Sequence, residues 1–200
     1  MLLAANGAAI EAININFNDL SNTPYSANAI LRKDKAFVED FLALHTLLRM
    51  AQPRSVFEIG TCTGEGTLII KNALSESIVY SLDLPPGESS YDIKQVGEAC
   101  YLPYVQLLGD SSTFDYSAHH PIEAWFIDGA HEYFHVLHET KEALKSNPSI
   151  IIWHDSDIPE VLTGIKEGLA GSDFLLYQVT NTRIAFAIPQ DSKIRDMIHE

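Results

Sequence analysis

Five short apolar runs, each closing at an acidic residue, place the tightest limit on what this chain of 200 residues can fold into. The runs are Ser55 to Gly60, Ile78 to Leu84, Tyr104 to Gly109, Ala124 to Asp128 and Ser149 to Trp153. Each is apolar on both faces, as a strand must be when helices cover its sheet on either side. Between them lie segments predicted as helices at about Glu65 to Leu74, Tyr91 to Cys100 and His131 to Lys145, with a brief turn near Phe114. Strand, loop, helix and strand in repetition is the βαβ rhythm of a parallel sheet. A further helix, about Pro159 to Leu169, leads to two β-like runs, Phe174 to Val179 and Thr182 to Ile188, joined only by Thr180-Asn181. So short a link demands an antiparallel hairpin, because a parallel return needs a crossover. The expected architecture is an α/β, Rossmann-like doubly wound sheet of seven strands, five parallel plus a C-terminal antiparallel hairpin.

The chain ahead of this rhythm is less patterned. Residues 1–25 are Asn-rich and end in Asn22-Thr23-Pro24, which reads as a flexible arm or lid. Residues 26–52 read as an N-terminal helical cover: Asp34 can cap a helix whose Phe37, Val38, Phe41, Leu42, His45 and Leu48 share a face, and Pro53 stops it. Residues 53–188 then form the core and 189–200 a tail. With 46% hydrophobic content the whole chain, 1–200, suits one domain.

Charge narrows the partners. Asp and Glu number 27 against 13 Lys and Arg, and the formal charge of -14 would repel a phosphate backbone, so nucleic acid is excluded as a partner. Met1 to Ala9 is apolar but short, lacks a positive flank and runs into Glu11, which supports neither a signal peptide nor a membrane span. A cytoplasmic protein is expected, with Cys62 and Cys100 as reduced thiols and a small molecule as substrate. Assembly into a homo-oligomer is left open.

The acids at the run ends are Glu58, Asp83, Asp110, Asp128 and Asp155, separated by 25, 27, 18 and 27 residues, about one βα unit each. In an open α/β sheet the carboxyl edge is where ligands bind, so these side chains would converge on one crevice. The bland alternative, that each merely ends a strand and caps the next helix, suits any one of them better than five in succession. The first crossover carries Glu58-Ile59-Gly60-Thr61-Cys62-Thr63-Gly64-Glu65-Gly66. Gly60 and Gly64 would let the backbone turn tightly and approach a ligand. The spacing is not G-x-G-x-x-G, and carboxylates at Glu58 and Glu65 would oppose a diphosphate resting on the helix N-terminus. A ligand with cationic groups fits better.

Over residues 35–188 the chain resembles the class I S-adenosylmethionine-dependent methyltransferases, most of all the small catechol and caffeoyl-CoA type O-methyltransferases and their bacterial relatives. Their E-x-G-x-G-x-G pattern falls on Glu58, Gly60, Cys62 and Gly64, with Cys62 at the middle glycine, as catechol-type members also tolerate. The resemblance implies that the turn at Gly60, Thr61 and Gly64 holds the cofactor, that Asp83 binds both ribose hydroxyls, and that Asp110-Ser111 contacts the adenine. For Asp110 a plain helix cap is the alternative. Gly66 stands where the family places a small hydroxyl residue for the methionine carboxylate, and Thr67 is the candidate substitute.

The same resemblance implies chemistry at the last two strand ends. Asp128, His154 and Asp155 stand where catechol-type relatives hold a divalent ion, and His131 stands where they carry a lysine base. Imidazole at His154 would favour zinc, manganese, iron or nickel over magnesium, so the identity of any metal is open. A neutral imidazole at His131 is suited to accept a proton near neutrality. Against this stands a reading in which His131 and His154 only line a pocket by hydrogen bonding, with no ion, and transfer proceeds by proximity and alignment. The expected function is methylation of an oxygen on a small molecule. The alternatives are a non-catalytic cofactor-binding module on the same fold and a zinc metallohydrolase through His131-Glu132-Tyr133-Phe134-His135, an H-E-x-x-H match.

Overall fold

The computed structural model describes residues 10–13, 38–88 and 95–198. Its sheet has the strands β1 (Ile10–Ile13), β2 (Ser55–Ile59), β3 (Ile78–Asp83), β4 (Val105–Leu108), β5 (Ala124–Ile127), β6 (Ile150–Trp153), β7 (Phe174–Val179) and β8 (Ala185–Pro189). Their spatial order is β1-β7-β8-β6-β5-β2-β3-β4. β2 to β6 pair in parallel, and β8 runs antiparallel between β6 and β7, so the expected hairpin forms, although its link is 180–184 because β8 begins at Ala185 and not at Thr182. The eighth strand, β1, pairs in parallel with β7 from within the stretch read as an arm. A run of four residues carries too little period-2 pattern to announce itself.

Helices cover both faces. α1 (Val38–Ala51) and α2 (Glu65–Ala73) pack on one, α3 (Tyr133–Lys145) and α4 (Pro159–Gly168) on the other, and α5 (Ile194–Ile198) follows the hairpin. Strand alternation divides the core accordingly. Val56 and Phe126 join Leu44, Leu47, Ile69 and Ile70 under α1 and α2, while Phe57, Trp125, Ile127 and Trp153 join Val136, Ala143, Val161 and Ile165 under α3 and α4. The indoles of Trp125 and Trp153 are fully buried and donate to Ser146 Oγ (2.8 Å) and Thr140 Oγ1 (3.1 Å), which accounts for both as core residues.

Two predicted helical details differ. The inward face of α1 is Asp40, Ala43, Leu44, Leu47 and Leu48, with His45, whereas Phe41 and Leu42 are only half-buried. An apolar count puts Asp40 on the wet face, but ion pairs described below draw it inward. Asp34 and Phe37 lie outside the described residues, as does 91–94 of the helix expected at 91–100. Residues 95–99 of that helix are a bend and turns instead: Gly97 has φ 74°, its N–H donates to Cys62 O (2.9 Å), and Ala99 N–H donates to Thr63 O (2.7 Å). Backbone groups that a helix would use are committed to the glycine turn across from them.

Candidate active site

The carboxyl edge of the parallel strands carries a cavity of about 330 Å³, lined among others by Gly60, Asp83, Asp110, Asp128 and His131. Gly60 has φ 97°, and a Cβ there would lie 2.0 Å from Asp128 O, so the turn after β2 passes against the end of β5 only because the side chain is absent. Cys62 takes φ 49°, and its N–H donates to Asp83 Oδ2 (2.5 Å), while Leu84 N–H donates to Asp83 Oδ1 (2.7 Å). The Asp83 carboxylate thereby ties the turn to the end of β3. Each oxygen retains a lone pair toward the cavity that Asp83 lines.

Glu58 does not reach the cavity. Alternation turns it to the face covered by α2, where it is fully buried, and Thr67 Oγ1 and Ser81 Oγ each donate to its Oε2 at 2.5 Å. Its Oε1 has no partner, and burial pushes the carboxyl up to about 8. A Cβ at Gly66 would stand 2.7 Å from that Oε1, which explains glycine where the resembling family has a hydroxyl residue. Thr67 is likewise buried, so its hydroxyl holds Glu58 and does not line the crevice. Thr61 Oγ1 is buried at 2.6 Å from Ser81 Oγ and accepts from Gln106 Nε2 (2.9 Å). Gly64, at φ 92°, caps α2 against the backbone of Gly97. These residues shape the turn from behind.

At the end of β4, Asp110 lines the cavity and also caps a turn, its Oδ1 accepting from Ser112 N (2.8 Å) and Ser112 Oγ (2.7 Å), which holds its pKa down. The cap it forms closes a turn and not the start of a helix. Ser111 also lines the cavity, and its hydroxyl donates to Glu139 Oε1 (2.6 Å), a buried carboxyl on α3 pushed up to about 7 by desolvation. Glu139 sits in a helical pattern where it reads as a wet-face residue, so the local sequence carries no sign of its burial.

Beyond β5 and β6 lies a compact charged cluster. His131 Nε2 meets Asp155 Oδ2 at 2.9 Å. His154 Nδ1 lies 2.9 Å from Asp155 Oδ2 and 3.2 Å from Asp128 Oδ1, and its Nε2 lies 3.1 Å from Asp40 Oδ2. Arg183, from the β7–β8 turn, donates from Nη1 to Asp155 Oδ1 (2.6 Å), from Nε to Asp40 Oδ2 (3.2 Å) and from its backbone N–H to Asp40 Oδ1 (2.8 Å). Burial alone would lower the His154 pKa, yet hydrogen bonds to Asp128, Asp155 and Asp40 outweigh it and push the imidazole up to about 11. For Asp155, desolvation is overridden by His131, His154 and Arg183, which hold its carboxyl far below the ordinary range. An ionised Asp155 can only accept, so His131 Nε2 carries the proton of that bond and Nδ1 is the basic nitrogen. Asp155 raises the His131 pKa, most of all through this hydrogen bond. Arg183 and Asp40, 143 positions apart, were not identifiable from sequence pattern.

Asp128, His131 and Asp155 each bring one ligand atom within 4.8 Å of the others. The donor set nevertheless fits a divalent ion poorly. Both nitrogens of His154 face carboxylates, both oxygens of Asp155 already accept from cationic or N–H donors, and an entering ion would stand beside a guanidinium. The zinc-protease reading also loses its geometry. His131 precedes α3, and His135 is not among the residues whose ligand atoms converge with it.

No protein-family model and no curated protein sequence matches this chain. Solved structures match its fold. The chain is similar to the O-methyltransferase TomG from Streptomyces achromogenes, involved in tomaymycin synthesis and solved with SAM (20% identity, TM-score 0.56, covering 82% of this chain and 91% of that one). It is similar to the O-methyltransferase from Bacillus cereus solved with SAH (18%, 0.52, 82% and 86%). A third is the SAH-bound methyltransferase PaMTH1 from Podospora anserina (14%, 0.54, 86% and 86%). The chain has the α/β Rossmann-like fold of these methyltransferases.

Proposed function

We propose that this protein is an S-adenosylmethionine-dependent methyltransferase that methylates an oxygen of a small molecule, as one domain with residues 53–188 as its cofactor-binding core. The observation that carries the reading is a single crevice in which the turn at Gly60, the carboxylates of Asp83, Asp110 and Asp128, and the imidazole of His131 all meet. No lysine or arginine lines it among the described residues, so its field favours a positively charged nucleoside over a nucleotide phosphate. The turn keeps this shape only with glycine at 60, where a Cβ would meet the backbone of Asp128 and Gly129. When bound, S-adenosylmethionine supplies an electrophilic methyl group on a sulfonium. Asp83 would accept from the ribose hydroxyls and Asp110-Ser111 would bound the adenine, with Glu139 fixing the Ser111 hydroxyl. His131, oriented through Nε2 by Asp155, would take the acceptor's proton at Nδ1.

Further support comes from the TomG and Bacillus cereus proteins, solved with SAM and SAH on this fold. No helix among the described residues is long and apolar enough to cross a membrane, and both cysteines are free, which is compatible with the cytoplasmic placement we assign. Calorimetric titration with S-adenosylmethionine and S-adenosylhomocysteine tests the assignment: saturable binding that Asp83→Ala weakens is expected, and indifference to both compounds refutes it. Turnover with a panel of phenols and sugars separates an enzyme from a cofactor-binding module.

A further inference from the structure

We infer that the Arg183 guanidinium, with the imidazole of His154 packed beside it among the same carboxylates, takes the electrostatic place of a divalent ion at the ends of β5 and β6, so that this centre operates without bound metal. Asp155 is where the two act together: its Oδ1 accepts from Arg183 Nη1 at 2.6 Å, and its Oδ2 is 2.9 Å from both His154 Nδ1 and His131 Nε2. Asp40 closes the arrangement from α1, contacting both side chains through Oδ2, and Arg183 Nη2 lies 3.3 Å from His154 Nε2. Asp128, the remaining carboxylate, lies 3.2 Å from His154 Nδ1. The Arg183 guanidinium and the ring nitrogens of His154 and His131 thus already engage oxygens of three carboxylates that an ion would need, and a dication would stand against a fixed positive charge.

Arg183 is held too firmly to step aside. Its backbone N–H and Nε reach Asp40, and its carbonyl accepts from Ser156 N and Ser156 Oγ, each at 2.9 Å. Asp155, between His154 and Ser156, takes φ 53°, a left-handed conformation uncommon for a non-glycine residue. That turn points its carboxylate at Arg183 and His131 together. Arg183 is accordingly a positioning residue: it fixes Asp155, and Asp155 orients the imidazole that lines the crevice. The inference draws on the proposed methyltransferase reading only for the identity of the centre, and metal binding is measured independently of the methyl donor.

Titration of the full chain, freed of metal, with MnCl2, MgCl2 and ZnCl2, read by calorimetry and by Mn2+ paramagnetic resonance, tests this. Wild type is expected to show no saturable site below about 1 mM, the weak end of oxygen-ligand cation sites. Arg183→Met, which removes a fixed cation, and His154→Asp, which exchanges the neighbouring imidazole for a carboxylate, are expected each to tighten Mn2+ binding roughly tenfold or more. A wild-type Mn2+, Mg2+ or Zn2+ site of low micromolar affinity that disappears in Asp155→Asn overturns the inference. So does a pair of variants that melt cooperatively and gain no Mn2+ site. If Arg183→Met does not fold, His154→Asp decides. Titration of the same samples with S-adenosylmethionine reads the methyl-donor assignment separately, so failure of one leaves the other standing.

Discussion

Replacing Glu58 by glutamine isolates the energetic consequence of burying a carboxyl beneath the cofactor turn. In the native fold burial raises its pKa from 4.5 to about 8, despite hydrogen bonds from Ser81 and Thr67 that work in the opposite direction. Between those values the folded chain holds a proton that the unfolded chain has released, so this group makes stability fall as pH rises. At about 1.4 kcal/mol per unit, its contribution worsens by roughly 3 kcal/mol between pH 5 and pH 8. Glutamine can still accept from Thr67 and Ser81 but cannot ionise. Urea denaturation of wild type and Glu58→Gln across that range should show the variant gaining about that amount relative to wild type as pH increases. The difference between the two proteins cancels the titration of every other group, Glu139 included, so a difference that stays level from pH 5 to 8 would refute the account of a desolvated, half-satisfied carboxyl.

Other outcomes follow from the same geometry. Asp83→Ala removes an ionised acceptor and should weaken S-adenosylmethionine binding by about ten- to a hundredfold in calorimetry, from the ~1.5–3 kcal/mol of a hydrogen bond to a charged group. His131→Ala should lower kcat by about 10²–10⁴ while leaving cofactor affinity in place. Because the neutral imidazole is the base and Asp155 raises its pKa, the methyl-transfer rate should rise with pH through a midpoint above the ordinary histidine value, and Asp155→Asn should move that midpoint down in a pH-rate profile. Gly60→Ala forces a side chain into φ 97° with a Cβ 2.0 Å from Asp128 O. It should lose at least about 1–2 kcal/mol from the backbone alone in urea denaturation.

The parallel sheet was legible because its strands are apolar on both faces and end at acids. β2, β3, β4, β5 and β6 all fall within their predicted runs, and Asp83, Asp110 and Asp128 share one cavity. What was not legible depends on partners distant in sequence. Thr67 looks available until it is seen to join Ser81, the partner of Glu58 across β2 and β3, on the Glu58 carboxyl. The helix expected through Cys100 yields to Gly97, whose N–H is claimed by Cys62. Asp40 carries no local mark of burial, because the charges that draw it inward come from Arg183 and His154. Periodicity reports which face of an element is apolar, and it is silent on an ion pair that overrules that face.

The short strand β1 has a consequence for the hairpin that carries Arg183. β7 runs in the direction of the parallel strands, and Thr180 N–H donates to Ile13 O, so the chain leaves β1 at the rim where the crevice opens. It is fastened again at Asp40, whose carboxylate is clasped by Arg183 of the same hairpin. Whatever lies between has two anchors on one hairpin. The hairpin that supplies Arg183 thus takes part of its footing from two segments far upstream of it, and a change at either one reaches the charged cluster.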